Sequence, residues 1–282
     1  MNLLQYTQAF ERLLEQGRAI PHAVPIAARP APAPGAPLAL LLSPHPDDEA
    51  LTGGLPLRLL QEAGWRVLNL PVTLGSALAQ RARRWAELQA SCDCLGFELL
   101  PAVHQAEGRL DPQLQTRAPR HWASCVQTVT EALLQLQPKA LFFPHAGDVQ
   151  PTHVGTHALA LAALRAAGSR VQTATVHTEF WGTLAQPNLM LELDAPQLAQ
   201  LAEATACHAG EVARNPYHLN LPAQCIDAVR RGAELVGGLG QAAPAMAFAM
   251  LYRVQRWNGA EEVTLLEGGR SLPLGASVSG IL

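Results

Sequence analysis

Charge is scarce in this sequence: 15% of its 282 residues are Asp, Glu, Lys or Arg, 23 acidic against 20 basic, for a formal net charge of −3. So thin and balanced a charge offers no general attraction to phosphate backbones or anionic membranes, and nucleic acid is not an expected partner. Cysteine is scarcer still. Cys92, Cys94, Cys125, Cys207 and Cys225 are odd in number and include no Cys-x-x-Cys. They signal neither a disulfide framework nor a zinc knuckle, and a reducing cytoplasm fits them best. No apolar run approaches the roughly 18 residues of a membrane span. The N-terminus lacks the basic start and unbroken apolar stretch of a secretory signal, so a soluble cytoplasmic protein without membrane insertion is expected. Also missing is a Gly-x-Gly-x-x-Gly after the first apolar run, which argues against a dinucleotide cofactor. There is no internal repeat.

What the chain has in quantity is hydrophobic residues, 49% of the total, enough for a large core. Leu3, Leu4, Phe10, Leu13 and Leu14 recur at roughly helical spacing over residues 2–17, predicting an amphipathic helix that packs on the body or on a partner. Pro21, Pro25, Pro30, Pro32, Pro34 and Pro37 then favour an extended connector. From Leu38 the pattern alternates. Strands are predicted at 38–42, 66–72, 97–100, 140–143 and 170–177, and helices at 55–63, 78–95, 123–136 and around 223–236. Such alternation predicts an α/β, Rossmann-like fold, a mainly parallel sheet with helices on both faces.

The chemistry is concentrated in Ser43-Pro44-His45-Pro46-Asp47-Asp48-Glu49, between the first strand and a helical segment. An imidazole and three carboxylates within five residues concentrate like charge unless a cation or a helix N-terminus receives it. Imidazole nitrogen and carboxylate oxygen suit a divalent ion such as zinc, with His45 and Asp48 as its first two ligands. Asp47, pointing to another side of the turn, is the candidate to take a proton from water. The alternative is a helix cap: Asp47 or Asp48 at the N-cap with Glu49 in the first turn explains one carboxylate, but not a histidine between two prolines.

Pro44-His45-Pro46-Asp47-Asp48-Glu49 resembles the signature of the PIG-L deacetylase family, also called LmbE-like, zinc-dependent enzymes that remove acyl groups from amino sugars and related amides. The resemblance implies zinc on His45 and Asp48, with Asp47 as the base. It extends over roughly residues 38–240, which makes 1–37 an N-terminal helix and connector, 38–240 the deacetylase-like domain and 241–282 a C-terminal extension packed on it. In open α/β sheets ligands gather outside the carboxyl ends of the strands, so a third ligand is expected after the strand ending at Phe143. There Asp148-Val-Gln150-Pro151-Thr152-His153 resembles the family's Asp-x-His-Pro-Asp-His, and alignment makes His153 that ligand.

Two departures follow from the same alignment. Gln150 stands where the family has a histidine, and an amide can donate to an oxyanion but cannot titrate. Thr152 replaces an acidic residue. His153 and His157 stand at i, i+4, yet Val154 occupies the Glu place of His-Glu-x-x-His, so a zincin site is poorly supported. His145 lines the pocket or merely sits in a loop. By resemblance, Arg84 in Arg84-Trp-Ala-Glu87, and Glu179 and Trp181 in His177-Thr-Glu179-Phe-Trp181, contact the substrate. For Arg84 a solvated i, i+3 pair with Glu87 is the plain alternative. His208, in Cys207-His208-Ala-Gly-Glu211, is a candidate general acid or substrate contact. The expectation is a one-zinc amidohydrolase, open to other divalent metals, acting on a small N-acylated sugar or conjugate, with homo-oligomerisation left open. The competing expectation is a metal-binding but inactive protein with a sensing or assembly role.

Overall fold

The computed structural model of the chain describes residues 1–20, 33, 35–106 and 108–282; most of the expected proline-rich connector, and Glu107, lie outside the described residues. Helix α1 (Leu3–Gly17) carries an Asn2/Gln5 capping box, and its apolar side chains Leu3, Leu4 and Leu13 are exposed. Strand β1 (Leu38–Ser43) leads through the acidic turn into two short helices, α2 (Asp48–Leu51) and α3 (Gly54–Ala63), and back to β2 (Arg66–Pro71). Next come α4 (Arg81–Leu95), which ends on Gly96 at φ +77°, and β3 (Glu98–Leu99). A glycine suits that left-handed C-terminal position. The chain continues through α5 (Leu114–Arg117), α6 (Pro119–Leu136), β4 (Ala140–Pro144), α7 (Pro151–Ala167) and β5 (Ala174–Thr178). After β6 (Leu189–Leu193) follow α8 (Ala195–Ala206), α9 (Ala209–Val212) and α10 (Tyr217–Leu235), then β7 (Phe248–Trp257), β8 (Glu262–Thr264) and β9 (Arg270–Leu272).

Among the described residues the strands form one sheet in the order β3-β2-β1-β4-β5-β7-β6-β9, with β8 also on β7. The run from β3 to β5 is parallel throughout, whereas β7 is antiparallel to β5, β6 and β8. The expected mainly parallel sheet is present. Strand β7 places part of the 241–282 stretch inside it.

Alternation along β1 shows how the sheet is covered. Ala39 and Leu41 join one core with α3, α4, α8 and α10, while Leu38, Leu40 and Leu42 join another with α6 and α7. Burying each such leucine contributes roughly 1.5–3 kcal/mol, so both faces need a helical layer, as the continuous apolar run required. Because β2 and β4 flank β1 while the chain runs outward in opposite directions from them, the ends of β1 and β4 bound a topological switch point. This is where an open α/β sheet leaves a crevice.

Candidate metal centre and cleft

The turns after β1 and β4 meet at that crevice. His45, Asp48 and His153 each turn a donor atom inward, all within 4.8 Å of one another. Asp48 Oδ2 lies 3.4 Å from His45 Nδ1 and 3.3 Å from His153 Nε2, and it also accepts the His45 amide at 2.9 Å. Asp148 stands behind the cluster, Oδ2 3.3 Å from His153 Nδ1, the arrangement that orients a metal-bound imidazole. His153 is buried, and its Nε2 makes no hydrogen bond among the described residues. An orphaned buried nitrogen is costly, and here it points at two further nitrogen and oxygen donors. This donor set fits a zinc-class ion.

Electrostatics support the same reading. Burial works against charge on His153, yet Asp48 and Asp148 outweigh it and lift its pKa to about 10. Burial likewise opposes ionisation of Asp48, but His153 and His45 hold its carboxyl far below the usual range. Burial lowers His45 despite Asp48. For Asp47, burial and then the charge of Asp48 push the carboxyl well above the ordinary value. A cation on the neighbouring donors would favour its charged form.

Asp47 adopts φ +124°, a conformation that non-glycine residues rarely hold and that costs on the order of 1–3 kcal/mol. The surroundings enforce it. Its carbonyl accepts the amides of Ala50 and Leu51, and its own amide donates to Glu49 Oε2 at 3.0 Å. Glu49, fully buried, accepts from Ser91 Oγ at 2.6 Å and His208 Nε2 at 2.7 Å through Oε1. The third carboxylate of the signature thus fixes the backbone that aims the first.

His45, Asp47, Gln150 and Thr152 share the wall of a cleft of about 330 Å³ with Arg84, Arg109, Trp181 and Tyr217. Arg84 packs half-buried, 3.4 Å from Glu211 Oε1, and not as a pair with Glu87, which instead binds Arg83. Trp181 is exposed and meets Tyr217 edge-on, ring centroids 5.9 Å apart. Gln150 combines two tasks: its side-chain oxygen caps α7 by accepting the amides of Thr152 and His153, leaving its Nε2 3.2 Å from His45 Nε2.

Two expected residues lie elsewhere. His208 does not face the cleft; it is completely buried behind Asp47 against Glu49, because the turn before α9 is packed under the signature. Glu179 is likewise withdrawn. It pairs with Arg231 of α10, accepts the Leu184 amide, and lines a separate cavity of about 360 Å³. The uncertain histidines also resolve as supports: His145 Nε2 meets Gly182 O at 2.8 Å, and His157 Nδ1 meets Pro144 O at 3.0 Å. His157 is therefore not part of the donor cluster. Sequence reading missed Glu49 as the support of Asp47, and missed Tyr217, whose only signal was an aromatic beside a helix start.

Comparison with known proteins places this geometry in context. Residues 40–164 match the family described as PIG-L, GlcNAc-PI de-N-acetylase. A 1D-myo-inositol 2-acetamido-2-deoxy-alpha-D-glucopyranoside deacetylase of Nocardia farcinica is 28% identical over 157 residues, 46% of this chain and 53% of that protein. The chain spans about half the length of the curated relatives it matches. Among solved structures, the A40926 pseudoaglycone deacetylase Dbv21 is similar at TM-score 0.56 and 19% identity, covering 79% of this chain and 98% of that one. The 4-carboxy-2-hydroxymuconate hydratase GalB of Pseudomonas putida KT2440 is similar at TM-score 0.56 and 17% identity, covering 77% and 95%. At such identities these structures share the fold, and that fold carries more than one reaction. The signature from Pro44 to Glu49 lies within the matched segment, and over residues 40–164 the chain is similar to the PIG-L family.

Proposed function

We propose that this protein is a metal-dependent amidohydrolase that removes an acyl group, acetyl in the first place, from the nitrogen of an amino sugar or glycoconjugate. One observation carries the reading: Asp47 stands in the cleft wall beside the His45–Asp48–His153 cluster without belonging to it. A base next to a donor set has a purpose in hydrolysis that simple metal storage does not supply. A zinc-class divalent ion held there, exchangeable for iron, cobalt or manganese, supplies Lewis acidity that acidifies water and draws charge from the acyl oxygen.

The chain's own groups do the rest. Asp47 accepts the proton of the attacking water and returns it to the amide nitrogen as the carbon–nitrogen bond breaks, serving as base and then acid. Gln150 donates a neutral hydrogen bond toward the developing oxyanion. Trp181 and Tyr217 offer ring faces to a sugar, while Arg84 and Arg109 offer donors to its hydroxyls.

The test is release of primary amine from a panel of N-acetylated amino sugars, glycoconjugates and amino-acid conjugates, with and without chelation. Amine release that disappears with the metal and returns with zinc supports the proposal. A protein that binds metal stoichiometrically yet releases no amine from any member of the panel fits the inactive, sensing alternative.

A further inference from the structure

A second cluster of metal-ligating atoms lies apart from the cleft. His104 follows β3 and makes an isolated bridge to Thr73, two residues beyond β2, while His121 and Cys125 stand at i, i+4 on one side of α6. His104 Nδ1 is 2.7 Å from His121 Nε2, the Cys125 sulfur is 3.7 Å from that same nitrogen, and all three donor atoms lie within 4.8 Å of one another. Around one tetrahedral zinc, with Zn–N about 2.0–2.1 Å and Zn–S about 2.3 Å, donor atoms stand about 3.3–3.6 Å apart. Two of the separations lie well within an ångström of that range, so the two rings must part slightly, and the sulfur and His104 Nδ1 already lie within 4.8 Å of each other. From these three donors and their spacing we infer a second metal site, His104–His121–Cys125, selective for a borderline-to-soft ion such as zinc.

The tautomer of His104 is already the one required. Its Nε2 faces the Gly108 carbonyl at 3.3 Å, which can only accept, so the proton resides there and Nδ1 presents a lone pair. A carbonyl behind a ligating imidazole is the support that metal-bound histidines usually have. Cys125 is buried, and burial pushes its thiol up to about 11, so it enters the site as a thiol and releases one proton on binding the ion. His121 moves its ring proton from Nε2 to Nδ1 in the same event. A thiolate with two imidazoles excludes magnesium and calcium, which take oxygen.

The position gives the site a structural consequence. Gly108 and Arg109 line the catalytic cleft, and the bond from His104 to Gly108 ties the second site to that loop. Metal at His104 would fix the rim that carries Arg109. This inference stands independently of the hydrolytic reading, since it depends on none of the residues assigned to hydrolysis.

Cobalt titration of the full chain tests it, because a thiolate ligand gives cobalt(II) a near-ultraviolet charge-transfer band that the sulfur-free His45–Asp48–His153 cluster cannot produce. The band should appear in the parent and in His153→Ala, saturating at one added equivalent in His153→Ala and by two in the parent, whose cleft cluster also takes cobalt. Cys125→Ser should abolish it, and His121→Gln, at a half-buried position of α6, should weaken the binding that produces it at least about tenfold. No band in the parent would leave only a histidine–histidine hydrogen bond beside a buried thiol. A band that survives Cys125→Ser would place the ion on another cysteine. Either result overturns the inference.

Discussion

His208 Nε2 donates to Glu49 Oε1 across 2.7 Å, joining two fully buried residues 159 positions apart, and the same carboxylate holds the Asp47 amide. The pair is therefore a brace for the proposed base. Replacing His208 by Gln should cost stability on the order of 3 kcal/mol, as for one partner removed from a buried pair. Turnover should fall while metal content stays at the parental level, because the change touches none of the donor atoms. Equilibrium unfolding and metal analysis of the variant check both statements.

The same brace sets a pH dependence. Burial disfavours a charged His208, but the Glu49 carboxylate, by charge and hydrogen bond, together with Asp47, raises its pKa above the ordinary value. A raised folded-state pKa contributes stability that is complete below the unfolded value near 6.5 and is lost as pH rises through the folded value. Unfolding free energy of the parent should thus decline on the alkaline side of about pH 6.5, and the decline should be reduced in His208→Gln. Parallel profiles for the two proteins would remove this role from His208.

Glu179 supplies the contrast between support and catalysis. Because it pairs with Arg231 and lines the other cavity, Glu179→Gln should lower stability by about 1–3 kcal/mol while leaving KM within about twofold of the parent. A KM raised tenfold or more at unchanged kcat would return Glu179 to the substrate.

Much of this was legible because the signal was local. Leu38 to Leu42 form a continuous apolar run, which requires a strand covered on both sides, and the ligands of the turn follow it directly. His153 was found through Asp148 and Pro151, residues with their own local jobs: Asp148 Oδ1 accepts the Gln150 amide, and Pro151 starts α7. What stayed hidden depends on distant contacts. Nothing near Cys207-His208 reveals that its partner is Glu49, and the aromatic neighbours of Glu179 gave no hint of Arg231 on α10. The segment from Met246 to Val254 read only as apolar, since an antiparallel strand buried between β5 and β6 shows no alternation to set it apart from a buried helix. The Asp194/Gln197 capping box opening α8 is a local signal that the sequence carries and that its reading did not use.

Gln150 carries two functions that substitution should separate. Gln150→Ala removes the cap of α7 and the amide donor together, so stability should fall by about 1 kcal/mol and turnover should fall with it. Gln150→His, which places at this position the histidine of the motif it resembles, should raise turnover, since a charged donor stabilises an oxyanion more strongly than an amide. Rates unchanged by both substitutions would mean that Gln150 serves α7 alone, and that the oxyanion donor lies elsewhere in the cleft.

The central claim is that His45, Asp48 and His153 hold an ion on which Asp47 acts without binding it. Its most direct test is Asp47→Asn in a Cys125→Ser background, which restricts metal counting to the cleft, with metal content and amine release measured on the same preparation. The variant should retain a full equivalent of zinc and lose turnover by about 10²–10⁴-fold. Zinc retained with near-parental amine release, or zinc lost along with activity, would contradict the account.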